Sequence, residues 1–167
     1  MTLPEKFRVQ VITMSDRAYS GDYADVSGPT VVTYVKDAMA AAGWQYEIRQ
    51  SILPDDAVAL RAALEEEPAA DLVIITGGTG IGPRDITPDV VRPMLTKEIP
   101  GIMEQIRVKY GTMNPKALLS RAVAGTIGNT LIYTLPGSVK AVHEYMAEIV
   151  KTMEHTFYML YGMDVHS

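Results

Sequence analysis

Two short runs, Val9–Met14 (VQVITM) and Leu72–Thr76 (LVIIT), are almost unbroken in apolar and β-branched residues. A strand with one wet face alternates polar and apolar side chains. A strand that reads apolar throughout is buried on both faces, which is the habit of parallel sheets covered by helices. The intervening stretches have helical periods. From Pro29, the residues Val31, Val32, Val35, Met39 and Ala42 follow helical spacing, and Gly43 supplies a stop. Residues 44–53 predict a second strand. PDDAVALRAALEEE predicts a second helix, with Val58, Leu60, Ala63 and Leu64 facing inward. TPDVVRPML reads as a short helix ended or bent by Pro93, and PGIMEQIRVKYG as another. AVAGTI and TLIYTL flank Gly128–Asn129, which predicts an antiparallel hairpin. From Ser138 to about Tyr161 runs a long amphipathic helix carrying Val142, Met146, Ile149, Met153 and Leu160 on one face. The alternation predicts an α/β fold, a mostly parallel sheet with helices on both faces, in a single domain over residues 1–167.

Composition narrows the function. The net charge of −5 leaves no excess of Lys and Arg to neutralise a nucleic-acid backbone, so no nucleic acid is expected as partner. A small anion remains possible, since it feels the local field. The absence of cysteine excludes disulfides, thiol catalysis and Cys-ligated zinc, and fits a cytoplasmic location. No secretory signal is expected, and no apolar run approaches the ~20 residues of a membrane helix, so no membrane partner is expected either.

In such a sheet, ligands collect beyond the carboxyl ends of the strands. The loops there begin Ser15-Asp16-Arg17, Pro54-Asp55-Asp56, Gly77 to Asp85, and Pro136-Gly137-Ser138. TGGTGIGPRDITPD is the densest of them. Its glycines permit positive φ and close approach to the backbone, and successive amides can cradle an anion. Thr87 can cap the helix that follows, and Pro88 suits its first turn. The loop is no Walker motif, since Pro83 follows Gly82, and its G-T-G-I-G spacing after the third strand is not the dinucleotide fingerprint. A tight corner is the competing explanation. Asp55 and Asp85 are expected at the ends of neighbouring strands, where a magnesium ion on a polyphosphate takes one or two carboxylates. Asp56 reads as a helix N-terminal charge; Asp16 either meets a ligand or pairs with Arg17. His143 and His155 read as surface residues of the last helix, and His166 lies beyond it.

Taken together, the strand-terminal SDR, LPDD, TGGTGIGPRDITPD, PGIMEQIR and LLSRAVAGTIGNTLIYTLPGSVKAV resemble the molybdopterin adenylyltransferases of molybdenum-cofactor biosynthesis (the MogA/MoaB type) over roughly Phe7 to Glu144. The resemblance implies a three-layer, Rossmann-like domain and a reaction of Mg-ATP with molybdopterin that yields adenylylated molybdopterin and pyrophosphate. It implies Mg²⁺ as cofactor, ATP and molybdopterin as substrates, a homotrimer or a hexamer, and transient contact with the metal-insertion protein. It makes Asp55 and Asp85 catalytic and metal-binding. Gly77, Gly78, Thr79 and Gly80 would hold the nucleotide phosphates. Ser15, Asp16, Thr87, Ser120, Pro136, Gly137 and Ser138 complete the expected binding set, with Arg17, Arg121 and Lys140 as neighbours. Val139 stands where many relatives have proline. The alternatives are a pterin-binding paralogue without catalysis and a nucleotide pyrophosphatase on the same fold.

Overall fold

The computed structural model describes residues 1–164. Six strands form one sheet: β1 (Lys6–Met14), β2 (Gln45–Leu53), β3 (Leu72–Thr76), β4 (Lys97–Glu98), β5 (Ala124–Ile127) and β6 (Thr130–Leu135). Their order is β2-β1-β3-β6-β5-β4. β2, β1, β3 and β6 run parallel; β5 turns back against β6, and β4 pairs antiparallel with β5. The expected hairpin is β5–β6, with Gly128 at φ 57° in its turn. The helices are α1 (Asp16–Tyr19), α2 (Ser27–Ala42), α3 (Ala57–Leu64), α4 (Thr87–Met94), α5 (Pro100–Gly111) and α6 (Val139–Leu160).

The apolar strands divide their side chains between two cores. Phe7, Val9 and Val11 of β1, Leu72 and Ile74 of β3, and Leu131, Tyr133 and Leu135 of β6 pack against α2, α5 and α6. Ile12 and Met14, Val73 and Ile75, and Ile132 face the other way, toward Leu60 of α3 and Val90 and Val91 of α4. The period-two alternation thus serves two buried faces at once, giving three layers. Among the described residues no helix is long and apolar enough to cross a membrane.

Several local expectations change. Val58 is 76% exposed, because α3 begins at Ala57 and turns its first residues outward; Leu60, Ala63 and Leu64 supply the inner face. α2 begins at Ser27, two residues before Pro29, and ends on Gly43 at φ 72°. Pro93 lies within α4, which stops one residue later. Asp55 and Asp85 do not follow neighbouring strands, since β1 lies between β2 and β3.

Candidate functional site

The carboxyl ends of β1, β2, β3 and β6 bring the four loops to one edge. Ser15 caps α1, accepting from the Ala18 amide at 3.1 Å. The next residue ties two loops together: the Asp16 amide donates to Asp55 Oδ2 at 3.0 Å, and the Asp55 amide donates to Asp16 Oδ1 at 2.9 Å. Asp16 pairs with Arg84 rather than Arg17, through Nε and Nη2, each at 3.0 Å. The guanidinium fork matches both carboxylate oxygens, which Arg17 on the same short helix does not do. Arg17 instead lies over the Tyr23 ring. Arg84 holds the Asp16 carboxyl below the usual aspartate range, helped by the Asp55 amide. Asp55 moves the other way. Burial pushes it up, the Asp16 amide pulls it partway back, and the charges of Asp16 and Asp85 raise it further.

The glycine loop is folded by its own neighbours. Gly77 and Gly78 have φ of 101° and 69°. A side chain at Gly77 would run into the Met14 carbonyl, so the loop lies directly on the end of β1. Thr87 does not cap α4. It is fully buried, its hydroxyl donates to the Gly77 carbonyl at 2.8 Å, and its amide donates to the Gly78 carbonyl. It anchors the loop from beneath and offers nothing to a ligand. Arg121 grips the other side, donating to the Gly80 and Asp85 carbonyls at 2.8 and 2.7 Å while pairing with Asp89. Asp85 Oδ2 accepts from the Gly82 amide at 2.8 Å. The amides of Gly78, Thr79 and Gly80 find no acceptor among the described residues. Three successive amides without an acceptor are the kind of group that can cradle an anion.

Two clefts open here. One, of about 290 Å³, is polar and acidic, with Thr13, Ser15, Asp25, Ser27, Asp55 and Asp85 in its wall. The other, of about 300 Å³, lies against the start of α6, with Asn114, Lys116, Ser120, Ser138, Lys140 and Tyr145 in its wall. Gly78, Asp85 and Gly137 belong to both. Pro136 accepts from the Thr76 hydroxyl, Gly137 accepts from the Ser27 hydroxyl at 2.6 Å, and Ser138 caps α6 through the Ala141 amide. Lys140 is exposed and lies 3.9 Å from Glu144. A larger cleft, about 670 Å³, sits at the opposite end of the sheet near Arg8, Arg49 and Glu66, away from these carboxylates.

Sequence reasoning did not single out Asp25, Ser27, Asn114, Lys116 or Tyr145. The signal for the first two is Ser-Gly-Pro at the start of α2: Asp25 accepts from the Gly28 amide and the Thr13 hydroxyl, which fixes that turn beside the site. Tyr145 lies seven residues after Ser138, two helical turns along the same face. His143 and His155 stay out of the site: His143 bonds the Tyr34 hydroxyl and His155 is exposed on α6; His166 lies outside the described residues.

A family model described as "Probable molybdopterin binding domain" matches residues 10–155. The chain is 35% identical over 158 residues to the molybdenum cofactor biosynthesis bifunctional protein of Chlorobaculum tepidum, covering 93% of this chain and 49% of that protein. It is 34% identical over 158 residues to gephyrin of Dictyostelium discoideum, covering 90% of this chain and 22% of that protein. The chain therefore spans about half the length of the first relative and under a quarter of the second. The crystal structure of the tungsten cofactor synthesizing protein MoaB from Pyrococcus furiosus superposes with a TM-score of 0.83 at 32% identity, over 95% of this chain and 99% of that one. With its sheet, its glycine loop and a match over most of its length, this chain belongs to the MogA/MoaB family of molybdenum-cofactor biosynthesis proteins.

Proposed function

We propose that this chain is a molybdopterin adenylyltransferase, moving AMP from ATP to the terminal phosphate of molybdopterin with release of pyrophosphate. The observation that carries the reading is the pair of clefts sharing one wall, with Asp55 and Asp85 beside the three free amides of Gly78–Gly80. A reaction between two bound molecules needs two adjoining places and one point of transfer.

In this reading the glycine-loop amides bind phosphate oxygens of the nucleotide and stabilise charge on the α-phosphate as it is attacked. The attacking oxygen belongs to the pterin's phosphate monoester, already ionised at neutral pH, so no general base is required. A P–O bond forms to the α-phosphorus, the α–β P–O bond breaks, and pyrophosphate carries the electron pair away. The Pro136–Ser138 loop and the start of α6 hold the pterin side, and fixing both partners in line removes much of the entropic barrier. Asp55 and Asp85 line one polar cleft, while the adjacent Arg84 is engaged by Asp16; among the described residues no three acidic or histidine side chains cluster as a metal site, so a Mg²⁺ ion here would take these two hard carboxylates and complete its shell from phosphate oxygens and water. Asp55 and Asp85 would hold that ion, which supplies charge neutralisation on the triphosphate when bound.

The test is pyrophosphate release from Mg-ATP, with and without freshly prepared molybdopterin. Release that requires the pterin, and falls on the order of 100-fold in Asp85→Asn with unchanged helix content, is the expected result. Release without pterin would identify a pyrophosphatase. Pterin binding without release would identify a binding paralogue.

A further inference from the structure

A further cleft, beside the site, carries the opposite charge. It holds about 460 Å³ between α4, α5 and the entry to β5, with Arg92, Arg107 and Arg121 in its wall and Asp89 as the one carboxylate there. The walls of the three clefts described above hold at least as many carboxylates as cationic side chains, and the whole chain stands at −5. A local excess of positive charge in an acidic chain selects anions. The three arginines are not equally committed. Arg121 uses all three of its nitrogens, on Asp89 and on the Gly80 and Asp85 carbonyls. Arg92 has Glu98 of β4 at 3.5 Å. Arg107 is half-buried, donates through Nη1 to the Ala122 carbonyl at 3.1 Å, and forms no ion pair among the described residues. A guanidinium keeps its charge and has five N–H donors, so one neutral carbonyl leaves most of those donors and all of the charge unmatched.

We infer that this cleft is a binding site for a multiply charged phosphate oxyanion, inorganic phosphate or pyrophosphate. Arg107 and Arg92 meet its oxygens with charge-assisted hydrogen bonds, for which the planar guanidinium fork is suited. Asp89 does not bar the anion, because Arg121 neutralises it. The cleft is distinct from the glycine-loop amides yet joined to them. Arg121 lines it while holding the Gly80 and Asp85 carbonyls, and Ser120 belongs both to this cleft and to the α6-side cleft. An anion bound by Arg92 and Arg107 is thus held by groups that no part of the proposed transfer uses. In the adenylyl-transfer reading, pyrophosphate is released beside this cleft; the anion site itself stands on the arginines alone.

The experiment is calorimetric titration of the full chain with sodium pyrophosphate and, separately, sodium phosphate, in EDTA at constant ionic strength. Without Mg²⁺, Asp55 and Asp85 beside the glycine loop repel a polyanion, so the arginine cleft is read alone. Wild type, Arg107→Gln, Arg92→Gln and Glu98→Gln are compared, and Mg-ATP is titrated into each in a parallel series without EDTA. Wild type should bind the anion, and each arginine variant should bind it about tenfold more weakly at unchanged Mg-ATP affinity. Glu98→Gln removes the carboxylate that competes for Arg92, and should bind the anion about twofold more tightly. Arg92 is exposed, so its variant decides the matter if Arg107→Gln fails to fold. Tighter binding of pyrophosphate assigns the site to the released product, and equal binding to free phosphate; both support an oxyanion site. No binding by wild type, undiminished binding in either arginine variant, an equal loss of Mg-ATP affinity, or weaker binding by Glu98→Gln would each overturn the inference. Failure of pterin-dependent pyrophosphate release would overturn the function proposed above and leave this result untouched.

Discussion

At the scale of single residues, the site holds one carboxylate against its own preference. Asp55 keeps its proton more tightly in the folded protein than in the unfolded chain, chiefly because burial disfavours its charge. The ionised carboxylate therefore opposes folding at neutral pH. Its contribution is most favourable below the ordinary value of 3.8 and worsens as pH rises through the raised folded value. Asp55→Asn retains an oxygen to accept from the Asp16 amide but sheds the charge. It should raise the unfolding temperature at pH 7 by a few degrees while lowering pterin-dependent pyrophosphate release sharply. Thermal melts across pH check this: the gap to wild type should narrow as pH falls through the raised folded value and close below the ordinary value of 3.8, where the side chain is neutral in both states. A lower melting temperature at pH 7 would show that the charge is satisfied in the free protein. The sequence places Asp55 two residues beyond β2 and Asp85 within the glycine loop that follows β3, and the structure sets both in the wall of one cleft. Thr87 was misread as a cap. Its hydroxyl takes the Gly77 carbonyl instead, a contact ten residues back that no local rule of helix starts encodes.

Elements were legible in proportion to their length. The long helix α6, the buried strands and the Gly-Asn hairpin each carry a repeated signal. β4 has two residues, α1 has four, and the 3-10 turn Pro115–Leu119 has five, too few for a period to show. That last segment matters, since it brings Lys116 to the α6-side cleft. It follows α5, whose own attachment to α6 includes a charged clamp. Glu148 of α6 accepts from Lys109 of α5, from Lys151 at 3.0 Å and from the Tyr110 hydroxyl at 3.3 Å. Lys109 first, then Lys151, pull the Glu148 carboxyl down to about 2. A depressed acid stabilises the fold above its ordinary value of 4.5 and loses that contribution as pH falls toward about 2. Glu148→Gln should lower the unfolding temperature at pH 7 by about 1–3 °C, because the pair is partly solvated. The difference should vanish by pH about 2 and shrink in high salt. A difference that persisted at low pH would assign the effect to packing of the α5–α6 seam rather than to charge.

Across the whole molecule, the alternation of strands and helices made the parallel sheet legible, but not the order of its strands. The chain steps outward from β1 to β2, then crosses back over β1 to place β3 on its other side. That reversal opens a crevice between β1 and β3, where Gly77 lies on the end of β1. Asp55 and Asp85 line one cleft here although their strands are not neighbours, so their placement depends on how closely the loops pack. Gly137 is the tightest point of that packing on the β6 side. A side chain there would approach the Gly77 Cα to 3.3 Å, and Gly137 belongs to the wall of both clefts. Its backbone has no positive φ, so alanine is locally tolerated and the strain falls on the glycine loop. Gly137→Ala should therefore fold, with a modestly lower melting temperature, and bind both Mg-ATP and molybdopterin more weakly. Calorimetric titration of each ligand decides the matter. Loss of only one ligand by Gly137→Ala would mean that the two clefts act independently, and a shared point of transfer between them would no longer stand.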